Sequence, residues 1–375
     1  MARPNFAKAQ NCAYDTITNS NQKKLPLSIK RIISRFPNLY LQKYTVFAKK
    51  RGLSMEETFH VLDSEEGCLW RRSDNTYVIL YNDTVSNAGR VRFTLAHELG
   101  HFILKHHENT NKTILSRYSL SDETYDVFEK EANYFAKRLL APVPLIDLYL
   151  ANWNEVNAHI IEWAFDVSHT VSHYLIKELN KRQRNTGLIR EGHPMVDNFI
   201  DFITIDTRSQ ICLNCRAIQV KSNNHCFTCG EKNFIASTPK DYPNFYSERK
   251  LLMQYSKIET NETGTPLTCP QCQSEDLTAD FTFCPWCAAL IHNVCLGNES
   301  LRYHIDDEAQ QTVELSLLVQ SKNGCGLNLD GGYRYCPDCG SETSYYRQKF
   351  LDDWKTEKER VEDPFLEGRD GKLPF

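Results

Sequence analysis

Apolar side chains near the start of the chain recur with helical spacing, at Ile29, Ile32, Ile33 and Phe36 and again at Tyr44, Phe47 and Ala48. This spacing predicts a helical stretch over residues 25–62. The period then changes. In "GCLWRRSDNTYVILYND", "CLW" and "TYVILY" are strand-like and "SDN" is turn chemistry, so the segment predicts a β-hairpin. Helical spacing returns near Arg92 and continues through Phe93, Leu95, Ala96, Leu99, Phe102 and Ile103. A further helix is predicted over roughly 125–140, stopped by Pro142. Residues 155–180, "EVNAHIIEWAFDVSHTVSHYLIKELN", read as two helices about the turn "FDVS", a helix-turn-helix layout. The second of these helices carries few basic side chains, which favours a pair that completes a core over one that contacts DNA. Beyond about residue 205 the pattern breaks into short strand-like pieces around cysteine pairs. From Phe350 the tail is highly charged, as expected of a frayed helix or a disordered end.

A chain of 375 residues with 41% apolar and 25% charged side chains is that of a soluble protein of two or three domains. No apolar run is long enough to predict a membrane span, and "MARPNFAKAQNCAYD" lacks the apolar core of a signal peptide, so the cytoplasm is expected. The net charge of -4 is uneven: residues 1–204 sum to +3 and residues 205–375 to -7, with a local +4 over 205–257. There is no large basic field, so charge alone does not suggest nucleic-acid binding.

Within "RFTLAHELGH" the pattern His97-Glu98-Leu99-Gly100-His101 puts two imidazoles on one helix face, at positions i and i+4. Both can reach one metal ion. Glu98, about 100° around the axis, lies beside that ion and is placed to take a proton from water and pass it to a leaving amine. This is the zinc-peptidase arrangement, and a third protein ligand is required. "VFEKEANYFAKRLLAP" offers Glu129 and Glu131 on opposite flanks of its apolar stripe, and periodicity does not choose between them. Glu129 is assigned as the ligand, with Asn133 four residues on as a residue that steadies a ligand or histidine, and Glu131 as a solvated helix charge. His106 and His107, near the helix C-terminus, are read as positive partners of the helix dipole rather than ligands.

Twelve of the 14 cysteines follow residue 211, and ten of these form Cys-x-x-Cys pairs, the signature of metal ligation in a reducing compartment. Cys212, Cys215, Cys226 and Cys229 make one zinc ribbon, and Cys269, Cys272, Cys284 and Cys287 a second. A third is incomplete. Cys325 precedes Cys336 and Cys339, but Lys322 holds the slot of its partner, leaving Cys295 or His292 to supply the fourth ligand. Cys12 and Cys68 stand outside any set, as free thiols. Aromatics flank the knuckles at Phe227, Phe283, Trp286, Tyr333, Tyr335, Tyr345 and Tyr346, either to stack on unpaired bases or to fill miniature cores.

"GRVRFTLAHELGHFILKH" followed by "EKEANYFAKRLLAP" resembles the ImmA/IrrE metallo-endopeptidases, as do the hairpin ending in "VILYND" and the helix-turn-helix-like segment. The resemblance covers residues 60–180, is weak over 1–60 and stops short of the cysteine-rich half. It implies zinc ligands at His97, His101 and Glu129, a catalytic Glu98, and as substrate a helix-turn-helix repressor whose cleavage switches on stress-response, mobile-element or phage-defence genes. The family's usual methionine before the proline is Ala141 here. No oxyanion-stabilising residue carries over, and His169, His173 and Tyr174 are only candidates.

The expected fold is therefore α+β. A helical region (1–60) leads into a zincin-like metallopeptidase core (61–150) and a helix-turn-helix-like segment (151–204). Zinc ribbons follow at 205–260 and 261–294, then an incomplete one at 295–345 and a charged tail (346–375). One catalytic and two to three structural zinc ions are expected. The expected function is a zinc endopeptidase whose ribbon half acts as a sensor, with single-stranded DNA as candidate activator. The competing expectation is a DNA-binding or scaffold protein with a degenerate peptidase site.

Overall fold

The computed structural model describes residues 3–72, 75–108, 114–116, 123–185, 193–297, 325 and 327–362. The chain forms two units, one of Met1–Thr207 with Thr238–Pro243 and one of Arg208–Ser237 with Asn244–Phe375.

The first unit is mixed α+β. It begins with α1 (Phe6–Asn19), where the Lys8 N–H donates to the Asn5 side chain at 2.9 Å, the capping bond a helix N-terminus requires. Then come α2 (Ile29–Ile33), β1 (Leu39–Lys43), α3 (Tyr44–Arg51) and α4 (Met55–Leu62). The helical stretch expected over 25–62 is thus three short helices broken by a strand. Pro37 disfavours helix at the residue before it, and β1 finds its partner far along the chain, which local periodicity does not register.

The hairpin forms as its alternation predicts, between β2 (Gly67–Arg71) and β3 (Tyr77–Tyr81), with Gly67 opposite Tyr81 and Leu69 opposite Ile79. After α5 (Ala88–Ile103), β4 (Ile114–Ser116) pairs with β2. The sheet order is β1-β3-β2-β4, with β1 parallel to β3 and the other pairs antiparallel. All five residues of β3 are buried, because the sheet is covered on both faces, and so the strand reads as a continuous apolar run. On one face Cys68, Val78 and Leu80 pack with Tyr44 and Phe47 of α3 and Leu62 of α4. The other face receives α5.

That second contact depends on Gly67. A Cβ there would fall 2.5 Å from the Thr94 methyl carbon and 3.0 Å from the Leu80 carbonyl oxygen. Thr94 is buried and short, so it has nowhere to swing. Gly67→Ala is expected to push α5 off the sheet, lowering stability by about 1–3 kcal/mol, the usual cost of overpacking, as read from a denaturant midpoint. An unchanged midpoint would show that α5 does not seat on Gly67.

The chain continues through α6 (Glu123–Leu140), α7 (Val143–Trp153), α8 (Ala158–Phe165) and α9 (His169–Asn185). Of the apolar stripe expected on α6, Ala132, Phe135 and Leu139 are buried and Phe128 is half-buried, and Ala136 is buried beside them. It lies close to α5 because position 100 is glycine: a Cβ there would meet Phe135 at 3.0 Å and the Ala132 backbone at 3.3 Å. The turn between α8 and α9 is made by Asp166 in the left-handed conformation, φ 51°. After α10 (Pro194–Asp197), α11 (Ile200–Arg208) buries Asp206, whose carboxylate accepts hydrogen bonds from Tyr149 at 2.7 Å and from Tyr242 at 2.5 Å. No helix among the described residues is long and apolar enough to cross a membrane.

The second unit carries the twelve cysteines that follow residue 211. Its first knuckle pair sits on a three-stranded antiparallel sheet of β5 (Ser209–Cys212), β6 (Ile218–Val220) and β7 (Phe234–Ala236), in the order β6-β5-β7. Helix α12 (Tyr242–Arg249) follows, and after the remaining cysteine pairs come α13 (Ser344–Arg347) and α14 (Trp354–Glu362). The tail from Phe350 was expected to fray or be disordered, yet α14 is folded onto this unit. Glu357 accepts from the Ser256 amide at 2.8 Å and hydroxyl at 2.6 Å, and pairs with Arg334 at 2.5 Å. Arg334 is fully buried, and a buried guanidinium needs a carboxylate partner, so the ion pair holds the helix in place. Residues 363–375 of the same tail lie outside the described residues.

The first and third cysteine groups dock against each other. Phe227 stacks on Tyr333 with ring centres 4.4 Å apart, and the Phe227 carbonyl accepts from the Arg334 and Tyr335 amides at 2.8 and 2.9 Å. His225 Nδ1–H donates to the Asp338 carbonyl at 2.9 Å.

Candidate active site

Helix α5 carries His97 and His101 one turn apart on its buried side, and α6 brings Glu129 up to them. The two Nε2 atoms are 3.0 Å apart, and Glu129 lies 3.3 Å from His97 Nε2 through one oxygen and 3.1 Å from His101 Nε2 through the other. All three side chains are buried.

Hydrogen bonds fix the tautomer of both histidines. His97 Nδ1–H donates to the Asn133 carboxamide oxygen at 3.1 Å. On the other side, His106 Nε2–H donates to Glu131 at 3.0 Å, which leaves His106 Nδ1 to accept from His101 Nδ1–H, also at 3.0 Å. Each of the two α5 histidines therefore spends its proton on Nδ1 and turns a bare Nε2 lone pair toward the Glu129 carboxylate. Three electron-pair donors facing one point repel one another unless a cation stands between them. Ligand atoms about 2.0–2.1 Å from a tetrahedral zinc lie about 3.3 Å from each other, close to the separations found, so the residues fit that ion.

Two expectations need correction. Glu131 is not a solvated charge: it is buried, holds His106, and accepts the Asn5 amide at 2.5 Å. His106 and His107 are not cationic partners of the helix end. Burial, then the neighbouring His101, pushes His106 down to about 2, and burial lowers His107 as well, so both are neutral. The cause is Lys105, whose left-handed φ of 61° folds the chain back so that the next two residues tuck inward. His106 then stacks on Phe128 at 4.4 Å, and His107 packs on Tyr77.

Glu98 is buried on the side of α5 that faces β2, where a Cβ on Gly67 would lie 3.8 Å from its Cγ. Its charge is felt by two neighbours. Burial and then Glu98 raise the Cys68 thiol, and burial, with Glu98 contributing, raises the Tyr44 hydroxyl. Cys68 is a buried free cysteine and Cys12 a partly exposed one.

The three candidates on α9 stand elsewhere. His169 and His173 pack on each other at 4.2 Å, with His169 also 3.3 Å from Glu162. Tyr174 is 61% exposed and receives the Lys137 ammonium over its ring at 3.9 Å. Lys137 is eight residues beyond Glu129 on α6, about 12 Å along the helix axis. The oxyanion role is assigned to none of them.

Among the described residues, twelve of the cysteines converge into three groups of four. Sulfur pairs are 3.5 Å (Cys212–Cys229) and 3.4 Å (Cys215–Cys226) apart in the first, and 3.6 Å (Cys269–Cys287 and Cys272–Cys284) in the second. The third joins Cys295, Cys325, Cys336 and Cys339, with Cys295 and Cys339 3.5 Å apart. A tetrahedral site with bonds near 2.3 Å requires edges of about 3.8 Å, so each group fits a zinc ion. His292, the alternative for the third group, instead reaches the Phe281 carbonyl at 3.0 Å, and Lys322 lies outside the described residues. The cysteine groups are consistent with tandem zinc ribbons. Of the seven flanking aromatics, Phe227 and Tyr333 are spent on each other and Tyr345 is fully buried; Trp286 is the one largely in solvent, at 71% exposure.

A two-histidine, one-carboxylate cluster beside a buried glutamate, on a helix seated against a small mixed sheet, is the layout of a metal-dependent hydrolase. The sequence comparison agrees. Residues 49–168 match the Peptidase_M78 family, described as the IrrE N-terminal-like domain, a span that takes in all four of these side chains. No curated protein matches the chain. The matched segment is thus similar to a metallopeptidase domain, and the cysteine-rich unit lies beyond it.

Proposed function

We propose that this protein is a zinc-dependent endopeptidase with His97, His101 and Glu129 as metal ligands and Glu98 as general base and acid. The single observation that carries the reading is the convergence of the two bare Nε2 atoms on the Glu129 carboxylate. Zinc held there supplies a Lewis acid that polarises the scissile carbonyl and renders water acidic enough to react near neutral pH. Asn133 and His106 orient the two imidazoles, and Glu131 orients His106. Glu98 takes the proton from the attacking water and returns it to the departing amine.

The proposed substrate is a helix-turn-helix transcriptional repressor, cut to release stress-response or phage-defence genes in the cytoplasm. This rests on the likeness of residues 49–168 to the IrrE N-terminal-like domain. The ribbon unit is proposed as the controlling half, with three structural zinc ions. Its candidate signal is single-stranded DNA, and the basic 205–257 region is the segment whose charge suits it. Trp286 is exposed, but residues 261–294 around it contain four acidic side chains and no lysine or arginine, which suits a protein contact better than a phosphate backbone. A degenerate peptidase site serving as a scaffold is opposed by the intact donor set.

The test is incubation of the purified protein with the repressor encoded beside its gene. A single defined cut, found by mass spectrometry and abolished by a zinc chelator, is expected. Uncut repressor in the presence of zinc would overturn the substrate assignment.

A further inference from the structure

By composition, the second helix of the helix-turn-helix pair looks poor in basic groups. The fold sorts those groups by face. On α9, Ser172, Leu175 and Leu179 are buried, and Glu178 turns aside to pair with Lys137 at 2.6 Å and with Arg138. Arg182, half-buried, is held by Asp147 of α7 at 2.5 Å. The opposite face is exposed at His173, Tyr174, Lys177, Asn180, Lys181 and Arg184. At about 100° per residue these six occupy an arc of about 120°. It carries Lys177, Lys181 and Arg184 beside hydrogen-bonding side chains, and there is no carboxylate on it.

We propose that the exposed face of α9 is a binding surface for double-stranded DNA, with Lys177, Lys181 and Arg184 contacting phosphates and His173 and Asn180 directed at base edges. Two observations select this occupant. The α8–α9 pair is joined by a three-residue turn, the frame in which a second helix is presented to the major groove. The stripe is also complementary to a polyanion: Lys177 to Arg184 spans seven residues, about 10 Å of helix, over which a duplex presents several phosphates. The surface lies apart from the metal cluster and does not rest on the peptidase reading. Its consequence for that reading is local concentration, because a protease held on operator DNA meets a DNA-bound repressor at far above its bulk concentration.

The experiment is fluorescence anisotropy of a labelled duplex titrated with the full-length protein, against the variant Lys177→Glu/Lys181→Glu/Arg184→Glu, at about 50 and 200 mM salt. All three positions are exposed, so unchanged circular dichroism and zinc content serve as the folding control. Three phosphate contacts predict an affinity about fortyfold weaker at the higher salt, and the variant should bind at least about tenfold more weakly than the parent at the lower salt. Glu98→Gln should bind DNA like the parent, which separates this surface from catalysis. No binding by the parent at low salt, or equal binding by the triple variant, would overturn the proposal. So would a triple variant that binds DNA normally but fails to cleave the repressor, since the stripe would then be a docking site for an acidic protein.

Discussion

A Glu98→Gln protein is expected to keep its fold and its full complement of zinc while losing the proposed peptidase activity by about a hundred- to ten-thousand-fold, the usual worth of a positioned general acid–base. Glutamine has nearly the same shape as glutamate, so the packing of α5 on Gly67 is kept, and Glu98 is not one of the three side chains whose atoms converge. What the amide lacks is a basic oxygen. Cleavage rates should therefore collapse while metal analysis and the thermal midpoint stay level. Full activity in this variant would remove the peptidase assignment altogether.

Metal content provides the second large effect. One His/His/Glu cluster and three four-cysteine groups predict about four zinc ions per chain. His97→Ala should remove about one of them and all cleavage, leaving the cysteine groups loaded. Cys336→Ser should act differently. Structural zinc in small domains contributes about 10–16 kcal/mol of apparent binding energy, which substitutes for a core these segments are too small to build. Loss of that ligand should therefore release zinc and melt the third group. Spectrophotometric zinc release, with circular dichroism alongside, reads both variants. A total near one ion in the parent would mean that the cysteine groups are not metal sites.

Much of this was legible because chemistry with strict spacing writes itself into local sequence. The i, i+4 histidines, the i, i+4 pair Glu129 and Asn133, and the Cys-x-x-Cys knuckles each need only one helix or one turn to bring their atoms together. The β2–β3 hairpin was readable for the same reason. What escaped was non-local. β1 pairs in parallel with a strand more than 30 residues on, and nothing in "LYLQK" announces the partner. The Glu131–His106 support of His101 needs a lysine in the left-handed conformation, a choice lysine's side chain does not signal, and an amide from Asn5, 126 residues upstream. The fourth ligand of the third cysteine group stayed open between Cys295 and His292 because the choice depends on where Phe281 places its carbonyl.

The docking of Phe227 on Tyr333 and of Glu357 on Arg334 has a bearing on how the chain is made. The first ribbon leaves the ribosome with its knuckle aromatic uncovered, and its cover is synthesised more than 100 residues later. Helix α14, which secures the fully buried Arg334, comes later still. The cysteine-rich unit is thus closed from its far end. A message cut short after the second ribbon would yield a chain with its peptidase segment complete and an exposed apolar face on the ribbon beyond it, the kind of surface by which quality-control proteases recognise unfinished products.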